Sequence, residues 1–210
     1  MSVQYAVQAD VFDIRQTNPQ GSDCFLVDSN VWLWMTYSNA GHDEPNWRAA
    51  LMAKYVTFVQ DAVINNGKVY CCGLSLAELS HIIEKTEREI HEASTGTSIK
   101  AKEYRHNFTI QRTRIVVKVQ NAWNQVFTVE EHKPLSITID SSTTTAALNR
   151  LQTEKVDGYD LFILESMRSH GVEQVITDDG DFVTVPGIQV FTANRNALQA
   201  ARAQGRLITR

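Results

Sequence analysis

Five acidic residues stand where the chain changes direction. Asp28 directly follows the apolar run CFLV, Glu78 and Asp160 open helical stretches, and Asp179 and Asp181 share the turn DDGD after QVIT. Carboxylates gathered without a cation repel one another and any phosphate. Hard divalent ions favour such oxygen ligands, and Mg²⁺ takes a few carboxylates while keeping positions for water and phosphate oxygens. The chemistry such a set would serve is therefore metal-assisted reaction at a phosphate. Each acid also has a quieter role available. Asp28 could cap a helix beginning near Val31, and Asp160 one over LFILESM, with Asp157 as competitor. Ser75-Leu-Ala-Glu78 matches a capping box, and DDGD could be only a polar turn.

What must position these acids is a series of strands alternating with helices. CFLV reads as a strand buried on both faces. Trp47, Leu51, Tyr55, Phe58 and Ala62 fall at steps of three and four, which predicts a helix from Pro45 that Asn65, Asn66 and Gly67 stop. KVYCCGL is a second strand candidate. Leu79, Ile83, Thr86 and Ile90 repeat the helical step as far as the small and polar residues at 94–96. Another helical stretch runs from about Ile99 towards Phe127, through Tyr104, Phe108, Ile115, Val119, Trp123 and Val126. After His132 and Pro134, LSITI reads as a strand, and a helix follows from Ser141 to about Lys155. DLFILESMRSHG is a buried helix closed by Gly171, and QVIT, IQVFTA and a terminal helix complete the chain.

This alternation predicts an α/β fold with a central, mainly parallel sheet flanked by helices, and a helical hairpin inserted over about residues 84–127. One domain is expected over residues 1–210, with 1–23 as an N-terminal extension. Ligands in such sheets bind beyond the carboxyl ends of the strands near a switch in strand order, so acids distant in sequence would converge there.

The net charge of −4 hides two basic segments. Between Lys100 and Lys118, six basic residues (Lys100, Lys102, Arg105, Arg112, Arg114 and Lys118) face Glu103 alone, and the segment from Arg195 carries four arginines and no acid. An acidic remainder beside basic segments suits a metal site fed by a phosphate-binding surface, although solvated helix faces produce the same pattern. Cys24, Cys71 and Cys72 lack metal-ligand spacing and read as buried thiols. The six histidines are scattered, including His81 one turn after Glu78, and read as solvated or packed. No apolar run approaches the roughly 20 residues of a membrane span, and the N-terminus lacks the pattern of a secretory signal, so a cytoplasmic location is expected.

The stretches LVDSNVW, SLAELSHII, GYDLFILESM and VITDDGDFVTVPGIQVF, in that order, resemble the PIN-domain ribonucleases, including the VapC-type toxins of bacterial toxin-antitoxin pairs. The closing Thr-x-Asp-x-Asp-Phe turn with its following Pro-Gly is the most specific of these. The resemblance implies a PIN-like three-layer fold and a metal-dependent endoribonuclease that leaves a 5′-phosphate and a 3′-hydroxyl. It places the four catalytic acids on Asp28, Glu78, Asp160 and Asp179, and adds Asp181 as an auxiliary ligand. Mg²⁺ or Mn²⁺ would be held by Asp28, Asp160, Asp179 and Asp181, with Glu78 positioning that ion or a second one. Ser29, Asn30 and Thr177 would support these acids by hydrogen bonds.

The lead before Cys24 and the helical region from about Glu84 to Phe127 extend beyond the compact toxins. In that region Lys100, Lys102, Arg105, Arg112 and Arg114 are expected to contact RNA phosphates, while Tyr104 or Phe108 stacks on a base. Expected partners are an RNA substrate and, for a toxin, an antitoxin protein; a homodimer is open and no membrane is involved. Three alternatives stay open. One is a catalytically silent PIN-like module that binds RNA or protein. Another is a DNA-directed nuclease, since the acids do not read a 2′-hydroxyl. The last, a phosphatase with an aspartate nucleophile, is disfavoured because Asn30 stands where its second Asp would be.

Overall fold

The computed structural model describes residues 3–42, 44–129 and 134–210, so His132 lies outside the described residues. Its centre is a six-stranded sheet in the order β3-β2-β4-β5-β1-β6, in which every pairing is parallel. The strands are β1 (Asp10–Asp13), β2 (Cys24–Val27), β3 (Lys68–Tyr70), β4 (Gln174–Ile176), β5 (Gln189–Thr192) and β6 (Leu207–Ile208). Among the described residues the eight helices are α1 (Ser29–Thr36), α2 (Asn46–Ile64), α3 (Ser75–Thr95), α4 (Ala101–Asn107), α5 (Thr109–Val129), α6 (Ser141–Thr153), α7 (Gly158–Ser169) and α8 (Arg195–Ala203).

The short apolar strands are buried on both faces because their side chains alternate between two cores. Phe12, Phe25, Val27, Ile176 and Phe191 pack with α1, α2, α3 and α5 on one side. Val11, Leu26, Val175 and Val190 pack with α7 and α8 on the other. Helices therefore cover both faces, as the alternation predicts. From β2 the chain goes outward to β3 and then returns to place β4 on β2's opposite side. The strand order thus reverses between β2 and β4, which makes a crevice at their carboxyl ends.

Several expectations change. LSITI forms no strand: Leu135 makes an isolated bridge to Cys72, and residues 136–139 have no ladder partner among the described residues. The stretch from Ile99 towards Phe127 is two helices, broken where Phe108 leaves helical geometry with ψ of 68°. The N-terminal lead supplies β1, which lies between β5 and β6. DVFD was not read as a strand because acids at both ends mask a short apolar core. The inserted α4 and α5 are fastened to α3. Glu84 accepts from Arg105 Nε at 3.0 Å and Arg112 Nη1 at 2.8 Å, and Glu87 accepts from Lys118 Nζ at 2.6 Å and the Tyr37 hydroxyl at 2.5 Å.

Candidate metal centre

Asp28 leaves the carboxyl end of β2, and its backbone N–H donates to Ile176 O at 3.0 Å, continuing the ladder to β4. Its carboxylate is buried and divided between two donors. Ser29 N–H reaches Oδ1 at 2.6 Å, so Asp28 does cap α1. The Thr177 hydroxyl reaches Oδ2 at 2.5 Å. That hydroxyl also accepts Asp179 N–H at 2.8 Å, which locks the turn after β4 to the end of β2. Asp179 in turn accepts Asp181 N–H at 2.8 Å and caps the 3-10 turn Gly180–Thr184.

Glu78 arrives from the first turn of α3. The capping box is not formed, because Ser75 is already helical, Leu74 occupies the cap position and no side chain caps the helix. Glu78 instead accepts a hydrogen bond from the Ser29 hydroxyl, which ties α3 to α1. Asp160 sits in the first turn of α7, where Asp157 takes the cap position without a side-chain capping bond.

These acids share one electrostatic environment. Burial, followed by the neighbouring charges of Glu78 and Asp179, pushes Asp28 up to about 7 against the opposing Thr177 hydrogen bond. Burial pushes Asp160 up to about 9, and Asp28, Glu78, Asp179 and Asp157 add repulsion. Glu78, Asp179 and Asp181 are also raised, each by burial first and by neighbouring acids after it. Asp157 acts on all three, although its place in the sequence suggests only a helix cap. Its position three residues before Asp160 was the available signal.

Acids from four separate elements thus share one electrostatic environment at the carboxyl end of the sheet, where strand order reverses. The donor set fits a hard divalent cation, whose charge would relieve the repulsion. Asn30 adds a buried Oδ1 with no donor among the described residues. Among those residues no group of three or more His, Cys, Asp or Glu side chains is placed to hold a metal ion as they stand. The fit is therefore one of donor chemistry and location, of the kind that suits an ion retaining several waters.

The basic residues assigned to RNA divide into two groups. Arg105 and Arg112 are engaged with Glu84, while Lys100, Lys102 and Arg114 are exposed. Tyr104 is buried against His91 and Phe108, so it has no open face for a base. Cys71 and Cys72 are buried thiols, whereas Cys24 is only half-buried, at the start of β2. No helix among the described residues is long and apolar enough to cross a membrane.

Comparison with known proteins agrees with this geometry. The family model described as the PIN domain matches residues 25–188, which contain all five acids. No curated protein matches the chain.

Proposed function

Because the chain belongs to the PIN-domain family, whose members are generally nucleases and typically use divalent metals, we propose that it is a Mg²⁺- or Mn²⁺-dependent endoribonuclease. What supports this reading is that Asp28, Glu78, Asp160 and Asp179 come from four elements at the carboxyl end of the sheet, where the charges of Asp28, Glu78 and Asp179 all act on Asp160. Asp28, Asp160, Asp179 and Asp181 would hold the ion, with Glu78 completing the catalytic set. The chemistry a divalent ion supplies when bound is activation of water and neutralisation of phosphoryl charge. Water oxygen joins phosphorus, the bond to the 3′-oxygen breaks, and that oxygen gains a proton, leaving a 5′-phosphate and a 3′-hydroxyl.

The protein's own contribution is placement. Thr177 and Ser29 fix Asp28 and Glu78, leaving neither hydroxyl available as a nucleophile. One domain over residues 1–210 stays the reading we propose, supported by the pairing of β1, from the N-terminal lead, with β5 and β6. Lys100, Lys102 and Arg114 would meet RNA phosphates directly, while Arg105 and Arg112 would do so through the faces left by Glu84. A cytosolic toxin restrained by an antitoxin protein is the physiological setting we propose.

Purified wild type and Asp28→Asn, incubated with mixed RNA in Mg²⁺, Mn²⁺ or chelator, test the activity. Cleavage by wild type only with metal, reduced at least about 100-fold in the variant, is expected. Wild-type inactivity with every metal, or undiminished cleavage by Asp28→Asn, would overturn the assignment. Growth arrest on induction of wild type, but not of Asp28→Asn, tests the toxin role.

A further inference from the structure

The carboxyl edge of the sheet continues past the acids into a second cleft. It is assembled by the next strands in the sheet order: Asp178 follows β4, Asn194 and Arg195 follow β5, and Arg15 follows β1. The start of α2 closes it with Trp47 and Arg48. Its volume is about 520 Å³, within the roughly 300–1,000 Å³ of clefts that hold small ligands.

Two of its arginines are pre-positioned. Arg15 donates through Nε and Nη2 to the buried Asp13 at 2.8 and 2.7 Å, leaving Nη1 without a partner among the described residues. Arg48 donates through Nη1 to Asp178 at 2.6 Å and lies over the Trp34 ring at 5.3 Å. Asp178 itself is held by the Tyr55 hydroxyl at 2.7 Å, so this wall is anchored in the core. Arg195 is exposed and has no ion pair among the described residues. Trp47 was expected on the buried face of α2, yet it is 68% exposed beside these cations. Three guanidinium groups with an open indole combine phosphate contact with a stacking surface, as single-stranded nucleic-acid sites do.

We propose that this cleft binds the substrate strand away from the cleavage point, with Arg15, Arg48 and Arg195 on phosphates and Trp47 stacked on a base. The proposal deepens the nuclease reading and rests on it for the identity of the strand. Asp178 and Asp179 are consecutive, so the Arg48 wall and the fourth acid move as one turn. A strand of several nucleotides could then occupy cleft and crevice together.

The test is equilibrium binding of a fluorescent single-stranded 12-nucleotide RNA to full-length Asp28→Asn protein, which separates binding from cleavage. Arg15→Ala with Arg195→Ala should weaken binding at least about tenfold and flatten the dependence on log salt by roughly 1.4, about 0.7 per phosphate contact. Trp47→Ala should weaken it at least about fivefold, and Trp47→Phe should restore most of the loss. Unchanged affinity and salt slope in the double arginine variant would overturn the proposal, as would losses confined to Lys100→Ala, Lys102→Ala and Arg114→Ala. Wild-type cleavage assayed in parallel distinguishes failure of the cleft from failure of the nuclease reading. A cleaving enzyme with unaffected binding removes only the cleft.

Discussion

The Thr177 hydroxyl donates to Asp28 Oδ2 at 2.5 Å across 149 residues of sequence, and so joins the ends of the two strands between which strand order reverses. It also accepts Asp179 N–H at 2.8 Å, with the Asn30 Nδ2 amide as a longer third contact at 3.5 Å. One buried hydroxyl therefore sets both the first acid and the turn that carries the fourth. Thr177→Val keeps the shape and removes both bonds. Leaving buried polar groups unpaired should cost about 1–3 kcal/mol, lowering Tm by about 2–4 °C per kcal/mol at this chain length. Cleavage should fall further than folding does, and Thr177→Ser should recover both. Calorimetry beside an activity assay checks this; a Val variant as active and as stable as wild type would show that the hydroxyl positions nothing.

The acidic crevice works against metal-free stability. Asp28 and Asp160 bind protons more readily when folded, with values pushed to about 7 and about 9. The stability they favour is complete below the unfolded carboxylate range near 4 and is lost as pH rises through those folded values. In chelator, wild-type Tm should decline between pH 5 and 8. Asp160→Asn removes one of the repelling charges and should flatten that decline, raising stability at pH 8 by about 1–2 kcal/mol while abolishing cleavage. Thermal shift measurements across pH, with and without Mg²⁺, provide the check. A wild-type Tm that climbs from pH 5 to 8 in chelator contradicts the crowded-carboxylate account.

Glu84 has the opposite sign. Its carboxyl lies below 4.5, chiefly through the Arg105 hydrogen bond and then the charges of Arg105 and Arg112. That stabilisation is present above the unfolded value and is lost as pH falls through the folded one. The α4–α5 insertion should therefore loosen below about pH 4.5 before the sheet does. Glu84→Gln should produce the same loosening at neutral pH. Hydrogen exchange across Thr109–Val129 reports it, and protection there that is indifferent to both pH and substitution would show that apolar contacts alone hold the insertion.

Three of the sheet's four interior strands, β2, β4 and β5, were legible because CFLV, QVIT and IQVFTA are continuous apolar runs, the pattern of strands covered on both faces. That Asp28, Glu78, Asp160 and Asp179 fall in one electrostatic environment was legible because they lie at the ends of such runs or in the following helical turns. DVFD was not, since its register depends on β5 and β6, which are far away in sequence. LSITI has strand composition, but among the described residues only its Leu135 forms a β-bridge, to Cys72. Glu78 shows the limit of local motifs most clearly. SLAE satisfies the capping-box pattern, yet the Ser29 hydroxyl, 49 residues earlier, takes its carboxylate. Trp47 matched the helical spacing of buried neighbours, but the first turn of α2 projects beyond the core they share.

The N-terminal lead also bears on the closing turn. Gln8 and Ala9 N–H groups donate to Val183 O at 2.8 and 3.1 Å, and Gln8 Nε2 donates to Thr184 O at 2.9 Å. Tyr5 lies against Gly180, between Asp179 and Asp181, so closely that an added Cβ would stand 2.5 Å from the ring's Cζ. Burial and then the charges of Asp181, Asp179 and Asp178 raise its phenol. Gly180→Ala must displace Tyr5 or shift the turn. If the ring yields, stability changes little and cleavage is retained. If the turn yields, Asp179 and Asp181 move and cleavage falls at least tenfold with a smaller loss of Tm. Tyr5 is only half-buried, whereas the turn is fixed by Thr177, so the ring should yield. The double variant Tyr5→Ala with Gly180→Ala decides between them: an activity loss in Gly180→Ala that the second substitution repairs would show that Tyr5, rather than Thr177, sets the turn.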